Sequence, residues 1–122
     1  DMANPVVHFE IAGRDAARTR EFYGRLFGWQ YQMFGPMEYG LVAPGGEGAI
    51  GGGVFGAPAG APPYVTFYVQ VDDLAAALRQ VEELDGTTCM PPTPIPDMGS
   101  MAMFTDPDGN MVGLFSEARI AG

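Results

Sequence analysis

His8 is the only histidine of the chain, and Glu10 follows it by two residues. On an extended strand, positions two apart share a face with α-carbons about 7 Å apart. An imidazole and a carboxylate so placed can carry protons near neutral pH without a metal, and Tyr68 is a candidate hydrogen-bond donor to the same chemistry. The competing reading makes His8 a hydrogen-bonded relic, with Glu10 near the mouth of a sheet. Cys89 is the only cysteine, so no internal disulfide can form. A nucleophilic thiol needs a neighbouring base, and His8 lies far away in sequence, so Cys89 reads as chemically bland.

The totals bound what these groups can serve. A chain of 122 residues, 47% apolar and 17% charged, suits one globular domain with a real core. Fifteen acidic against six basic residues give a net charge of -9. A phosphate backbone would be repelled, so nucleic acid and anionic membrane are not expected partners. No apolar run is long enough to cross a bilayer. The start, Asp1 to Pro5, carries no secretion signal, and Met2 reads as the natural start with Asp1 outside the fold argument. A cytoplasmic location is expected.

The elements that must position these residues form a repeat. Val6 to Ile11 is a β-prone run bounded by turn residues. Asp15 can cap a helix over 16–27, with Phe22 and Leu26, and Tyr23 and Phe27, as its apolar face and Gly28 as its end. The pattern returns in the second half. Tyr64 to Val69 is a strand, and Asp72 or Asp73 caps a helix over 74–84 with Leu74, Leu78, Val81 and Leu84 as its buried stripe. Pro5 matches Pro63 and Asp15 matches Asp73, both 58 positions on. Strand-like pieces follow each helix: 29–34, 38–42 and 49–55 in the first half, 87–90, 100–105 and 110–115 in the second. Each half therefore reads strand, helix, three strands, an α+β pattern of two βαβββ modules at about 5–56 and 64–117. The Gly-, Ala- and Pro-rich 57–63 is the linker. Pro91 to Pro96 cannot be a central strand and reads as a semi-rigid loop, a candidate lid through Ser100.

Three stretches carry a resemblance. They are His8-Phe9-Glu10-Ile11 with Asp15 and Glu21-Phe22-Tyr23-Gly24-Arg25-Leu26-Phe27-Gly28-Trp29; Val69-Gln70-Val71-Asp72-Asp73-Leu74; and Phe104-Thr105-Asp106-Pro107-Asp108-Gly109-Asn110. In this order, on this repeat, the chain resembles the vicinal-oxygen-chelate superfamily of glyoxalase, bleomycin-resistance and dioxygenase proteins. The resemblance implies modules whose mixed sheets curl into an open half-barrel cavity, with a helix on each outer face. The Asp106–Asn110 stretch is also a turn on its own chemistry and is given no catalytic role.

The superfamily's metal ligands come from the first and last strands of each module. Carried over, these positions fall on His8, Gly52, Thr66 and Gly113. Glycine has nothing to coordinate with, and a threonine hydroxyl is a poor ligand, whereas zinc needs three or four strong ones. No metal or other cofactor is therefore expected, a divalent ion being the disfavoured alternative. The glycines either open the cavity floor to a ligand or mark a bend in the sheet.

Alternation then sorts the strand residues. With His8 facing the cavity, Val6 and Glu10 face it too, and Val7, Phe9 and Ile11 pack on the helix. Tyr64, Thr66 and Tyr68 face the cavity, and Val65, Phe67 and Val69 pack. Met111, Gly113 and Phe115 face in on the last strand. Trp29 and the methionines, Met37 and Met103 among them, read as core filling. The expected cavity is His8, Glu10, Gly52, Tyr64, Thr66, Tyr68, Met111, Gly113 and Phe115. It suits a small organic molecule, with the acidic balance favouring a cationic one. The resemblance also implies a homodimer. Three functions stand open: a metal-free binding module, an isomerase, cyclase or lyase using His8 and Glu10 (or a metal enzyme with atypical ligands), and a ligand-free structural subunit.

Overall fold

The structure, a computed structural model, describes residues 3–36 and 38–120. The expectations for Asp1, Met2 and Met37 lie outside the described residues. The elements run β1 (Val6–Gly13), α1 (Ala16–Phe27), β2 (Tyr31–Phe34), β3 (Tyr39–Val42), β4 (Gly51–Gly56), β5 (Tyr64–Gln70), α2 (Leu74–Glu83), β6 (Thr87–Ile95), β7 (Gly99–Thr105) and β8 (Met111–Ser116). This is the α+β pattern of two βαβββ modules.

Both helices begin where a side chain satisfies their open amides. The Asp15 carboxylate accepts from the Arg18 amide at 3.2 Å and the Asp73 carboxylate from the Ala76 amide at 3.0 Å. Gly28 closes α1 with φ +73° and donates to the Gly24 carbonyl. At the end of α2 the left-handed residue is Asp85, at φ +71°, one before Gly86.

The two modules share one strand plan. In the first the order is β2-β3-β4-β1, and in the second β6-β7-β8-β5. The first and last strands of each module pair in parallel, and the remaining pairs are antiparallel. A parallel pair requires a long crossover, which the helix and two strands supply. The chain clusters into two compact units, His8–Thr66 and Phe67 onward with the start of β1, so the boundaries fall inside β1 and β5.

The units differ in their cores. α2 packs on β6, β7 and β8, and Leu74 and Leu78 join Ala102 and Leu114 in a buried cluster with Val69 and Phe104 against it. α1 packs on β4 but buries none of its own residues. Its Tyr23 ring lies 5.6 Å from Trp29, which in turn lies 5.1 Å from Phe9, and the exposed Phe27 ring flanks Trp29 at 5.2 Å.

Several packing expectations need correction. Phe22, Leu26 and Phe27 are not part of a buried face; they are 59%, 59% and 57% exposed. Leu84 is 65% exposed because it caps α2 beyond its packed turns. Val65 and Phe67, expected to pack, are 71% and 42% exposed. Pro91 to Ile95 is not a loop but the second half of β6, the edge strand of its module. An edge tolerates prolines because half its amides have no ladder partner to lose, and pairing with β7 slips between Thr88 and Met90 and again before Thr93.

Candidate functional site

Within residues 8–66, four side chains form a hydrogen-bonded string. Alternation along β1 sends His8 and Glu10 to one face. Glu10 is only 5% exposed, so its carboxylate needs donors. Tyr39 donates to Oε1 and Tyr64 to Oε2, both at 2.9 Å. His8 Nε2 lies 2.9 Å from the Tyr39 hydroxyl. A phenol has one proton, and Tyr39 gives it to Glu10, so His8 must present Nε2–H to the phenol oxygen. The string therefore runs imidazole, phenol, carboxylate, phenol.

Each member is placed by its element. Tyr39 opens β3 directly after Glu38, which takes a left-handed φ of +54°. The Arg20 guanidinium reaches from α1 to the Glu38 carbonyl at 2.9 Å and ties that turn down. Tyr64 opens β5. Phe55 packs between the tyrosines, with ring centroids 5.1 Å from Tyr39 and 6.3 Å from Tyr64. Burial lowers the His8 pKa below its ordinary value, favouring the neutral ring. Burial first, then the charge of Glu10 and the hydrogen bond to it, hold Tyr64 far above the ordinary tyrosine range, so it remains a donor.

The glycines have a different meaning from the one expected. In the parallel pair of β1 and β4, Phe9 stands beside Gly52 and Glu10 beside Gly53. Gly52 therefore belongs to the Phe9 face and not to the His8 face. A β-carbon there would meet the Phe9 ring at 2.3 Å. In the second module Tyr68 stands beside Gly113, and its ring would meet a β-carbon there at 2.4 Å. The register counterpart of Gly113 is Gly53, where the Tyr39 ring takes the space of a side chain, as close as 1.9 Å. The glycines seat aromatic rings of the chain itself.

The expected cavity residues thus fall into separate sets. His8, Glu10 and Tyr64 come together with Tyr39, which the sequence reading missed. Leu41 is the register partner of Gly53, and Tyr39, two residues away on the same face, lays its ring over that glycine, an approach with no signal in the sequence. Thr66 is buried on the same row of β5 as Tyr64. In the other unit Tyr68, Gly113 and Phe115 share a face with Met103 and Met101, and Met111 pairs with Thr105 on that row. The Tyr68 hydroxyl lies 3.6 Å from the Met103 sulfur. Cys89 is exposed on β6. Asp106 binds the amides of Asp108 and Asn110 and the Asn110 side chain, each at 2.9 Å, and Gly109 takes φ +90°. That stretch is a self-satisfied turn. No helix among the described residues is long and apolar enough to cross a membrane.

The sequence matches the Glyoxalase/Bleomycin resistance protein/Dioxygenase superfamily over residues 6–114. The chain belongs to that superfamily. It is 37% identical over 119 residues to CFP32 of Mycobacterium tuberculosis, named a glyoxylase, with 93% of this chain and 46% of that protein covered. It is 26% identical over 130 residues to the anthracycline biosynthesis protein DnrV of Streptomyces peucetius, with 93% and 47% covered. The chain thus spans about half the length of the curated relatives it matches. The fold is shared with a superfamily member from Vibrio splendidus at TM-score 0.64 and 19% identity, covering 93% and 99% of the two chains. It is shared also with Streptomyces coelicolor methylmalonyl-CoA epimerase in complex with 2-nitronate-propionyl-CoA, at TM-score 0.68 and 13% identity, covering 99% of each.

The superfamily's metal positions can be tested against the side chains here. They fall on His8, Thr66, Gly113 and, by register, Gly53 in place of Gly52. At both last-strand positions a donor is missing and a ring fills the place it would need. Among the described residues no three His, Cys, Asp or Glu side chains converge. The donor set does not fit a zinc or facial-triad iron centre.

Proposed function

We propose that this superfamily member binds a small organic molecule, a drug or a metabolite, without a metal ion, and that the His8–Tyr39–Glu10–Tyr64 string is its polar anchor. The observation that carries this reading is the buried carboxylate clamped by two tyrosine hydroxyls at 2.9 Å beside Phe55. A few convergent polar groups in an aromatic surround are the usual make-up of a small-molecule site. The carboxylate favours a ligand offering a cation or an N–H, and the aromatic faces favour a planar or cationic body. The names of the relatives, a glyoxylase and an anthracycline biosynthesis protein, speak of small organic molecules and support the class.

The net charge of -9 supports a protein that works apart from nucleic acid and anionic membranes, and a cytoplasmic location remains our reading. The exposed apolar residues of α1 support pairing of two identical copies. A catalytic reading has its own observation: the unbroken path from imidazole through Tyr39 to carboxylate is a route for a proton.

A thermal-shift screen of aromatic and amine-bearing compounds against chelator-treated protein tests the proposal. A hit should lose affinity about tenfold or more in Glu10→Gln, the size of one charge-assisted contact. A hit unaffected by that change would overturn the anchor. His8→Ala separates the two readings: a catalyst keeps binding and loses turnover, while a binding protein loses at most some affinity.

A further inference from the structure

Tyr39 joins His8 to Glu10 through hydrogen bonds of 2.9 Å on either side of its hydroxyl. The string is therefore only as well placed as the backbone that carries this ring. That backbone is awkward. Glu38, just before it, takes φ +54°, where a β-carbon crowds the main chain. The turn closes weakly on itself, with the Glu38 amide 3.4 Å from the Gly35 carbonyl. A residue in such a conformation stays there only when its surroundings hold it.

Arg20 of α1 holds it from both sides. Its guanidinium donates at 2.9 Å to the Glu38 carbonyl, in the peptide group that precedes Tyr39. A charged donor makes the stronger kind of hydrogen bond. Its stem lies on Gly40, the residue that follows: a β-carbon there would stand 2.7 Å from Arg20 Cδ. Gly40 is buried and is paired with Met33 on one side and Val54 on the other, so the stem rests on a fixed point of the sheet. Arg20 is itself tied down, because the Tyr31 hydroxyl at the start of β2 donates to its carbonyl at 2.8 Å. One helix residue thus brackets the backbone of the phenol, with its charged head before the ring and its apolar stem after it.

We propose that Arg20 is a positioning residue: it acts through the Glu38–Gly40 backbone to set the Tyr39 hydroxyl between His8 and Glu10. Its bearing on binding rests on the anchor proposed above; the placement of Tyr39 does not. The test is NMR of the whole chain without ligand. His8 is the only histidine, so its ring signals identify themselves. Tyr39→Phe supplies the reference, an imidazole whose phenol partner is gone. Arg20→Met keeps an apolar stem and loses the donor. It should move the His8 ring signals most of the way to that reference, with circular dichroism showing a folded chain. Arg20→Lys keeps both stem and donor and should stay nearer to the wild type. A merely structural arginine would lower the melting temperature of Arg20→Met and leave the His8 signals of the folded protein in place; that result overturns the proposal. Equal displacement in the Lys and Met variants overturns it too. If Arg20→Met does not fold, Glu38→Gly is added to it. Glycine takes a positive φ unaided, so folding should return with His8 signals near those of the wild type. A double variant that stays unfolded, or folds with displaced His8 signals, contradicts the hold on Glu38. Since no ligand enters these measurements, failure of the anchor in Glu10→Gln and failure of the positioning are read separately.

Discussion

The two modules are built on one plan and filled with different chemistry. At matching places on their first strands stand Glu10 and Tyr68, each beside a last-strand glycine, Gly53 and Gly113. The first module buries a carboxylate held by its own Tyr39 and by Tyr64 from the start of β5, and its helix buries nothing. The second buries Tyr68 against Met103, and its helix buries Leu74 and Leu78 in an apolar cluster. A buried polar group and apolar packing of the helix are therefore divided between the copies. An apolar core stabilises the second, which leaves the first able to hold a polar group whose burial is costly.

The largest expected contrast lies between the helices. Leu78→Ala should cost about 2–5 kcal/mol in denaturant unfolding, as deletions from a packed core do. Leu26→Ala in α1 should stay within about 0.5 kcal/mol once self-association is diluted out, because an exposed side chain leaves no cavity. Equal costs would erase the division.

Next come the ring-seating glycines. Gly113→Ala and Gly53→Ala should each cost about 1–3 kcal/mol, since the Tyr68 or Tyr39 ring must move. Only Gly53→Ala should also disturb the His8–Tyr39 hydrogen bond, visible as a shift of the His8 ring resonances. The N-caps are expected to be alike: Asp15→Ala and Asp73→Ala should each cost about 1 kcal/mol in thermal or denaturant melts.

The smallest effect is a slope in pH. Burial depresses the folded pKa of His8 below its ordinary 6.5. Above that value neither state binds the proton and this contribution to stability is complete. As pH falls below it, the unfolded chain protonates first and stability declines until the folded imidazole titrates too. His8→Gln should flatten the fall of melting temperature between neutral and mildly acidic pH. An unchanged slope would mean that His8 is not held neutral.

Much of the frame was legible in the sequence, because capping and alternation are local. Asp15 and Asp73, the helix starts and the order strand, helix, three strands needed no tertiary knowledge. What failed was whatever depends on a neighbour. Periodicity showed that Phe22, Leu26, Val65 and Phe67 belong to apolar faces but not whether anything covers those faces. The Pro91–Pro94 run was read as a loop because edge strands escape the rule against proline. The carboxylate His8–Glu10 face was readable from β1 alone. Tyr39 was not, since its approach depends on the left-handed Glu38 turn and on the empty side of Gly53. The superfamily's ligand position was placed one residue off, at Gly52, because the loop before β4 differs in length from that before β8.

The central claim is that the tyrosine-clamped Glu10 anchors a ligand with no metal present. Calorimetric titration of a screened ligand into chelator-treated wild type and Glu10→Gln tests it most directly. The account predicts binding to the stripped wild type and a loss of about tenfold or more in the variant. Binding that appears only after a divalent metal is added, or that is equal in the two proteins, would contradict it.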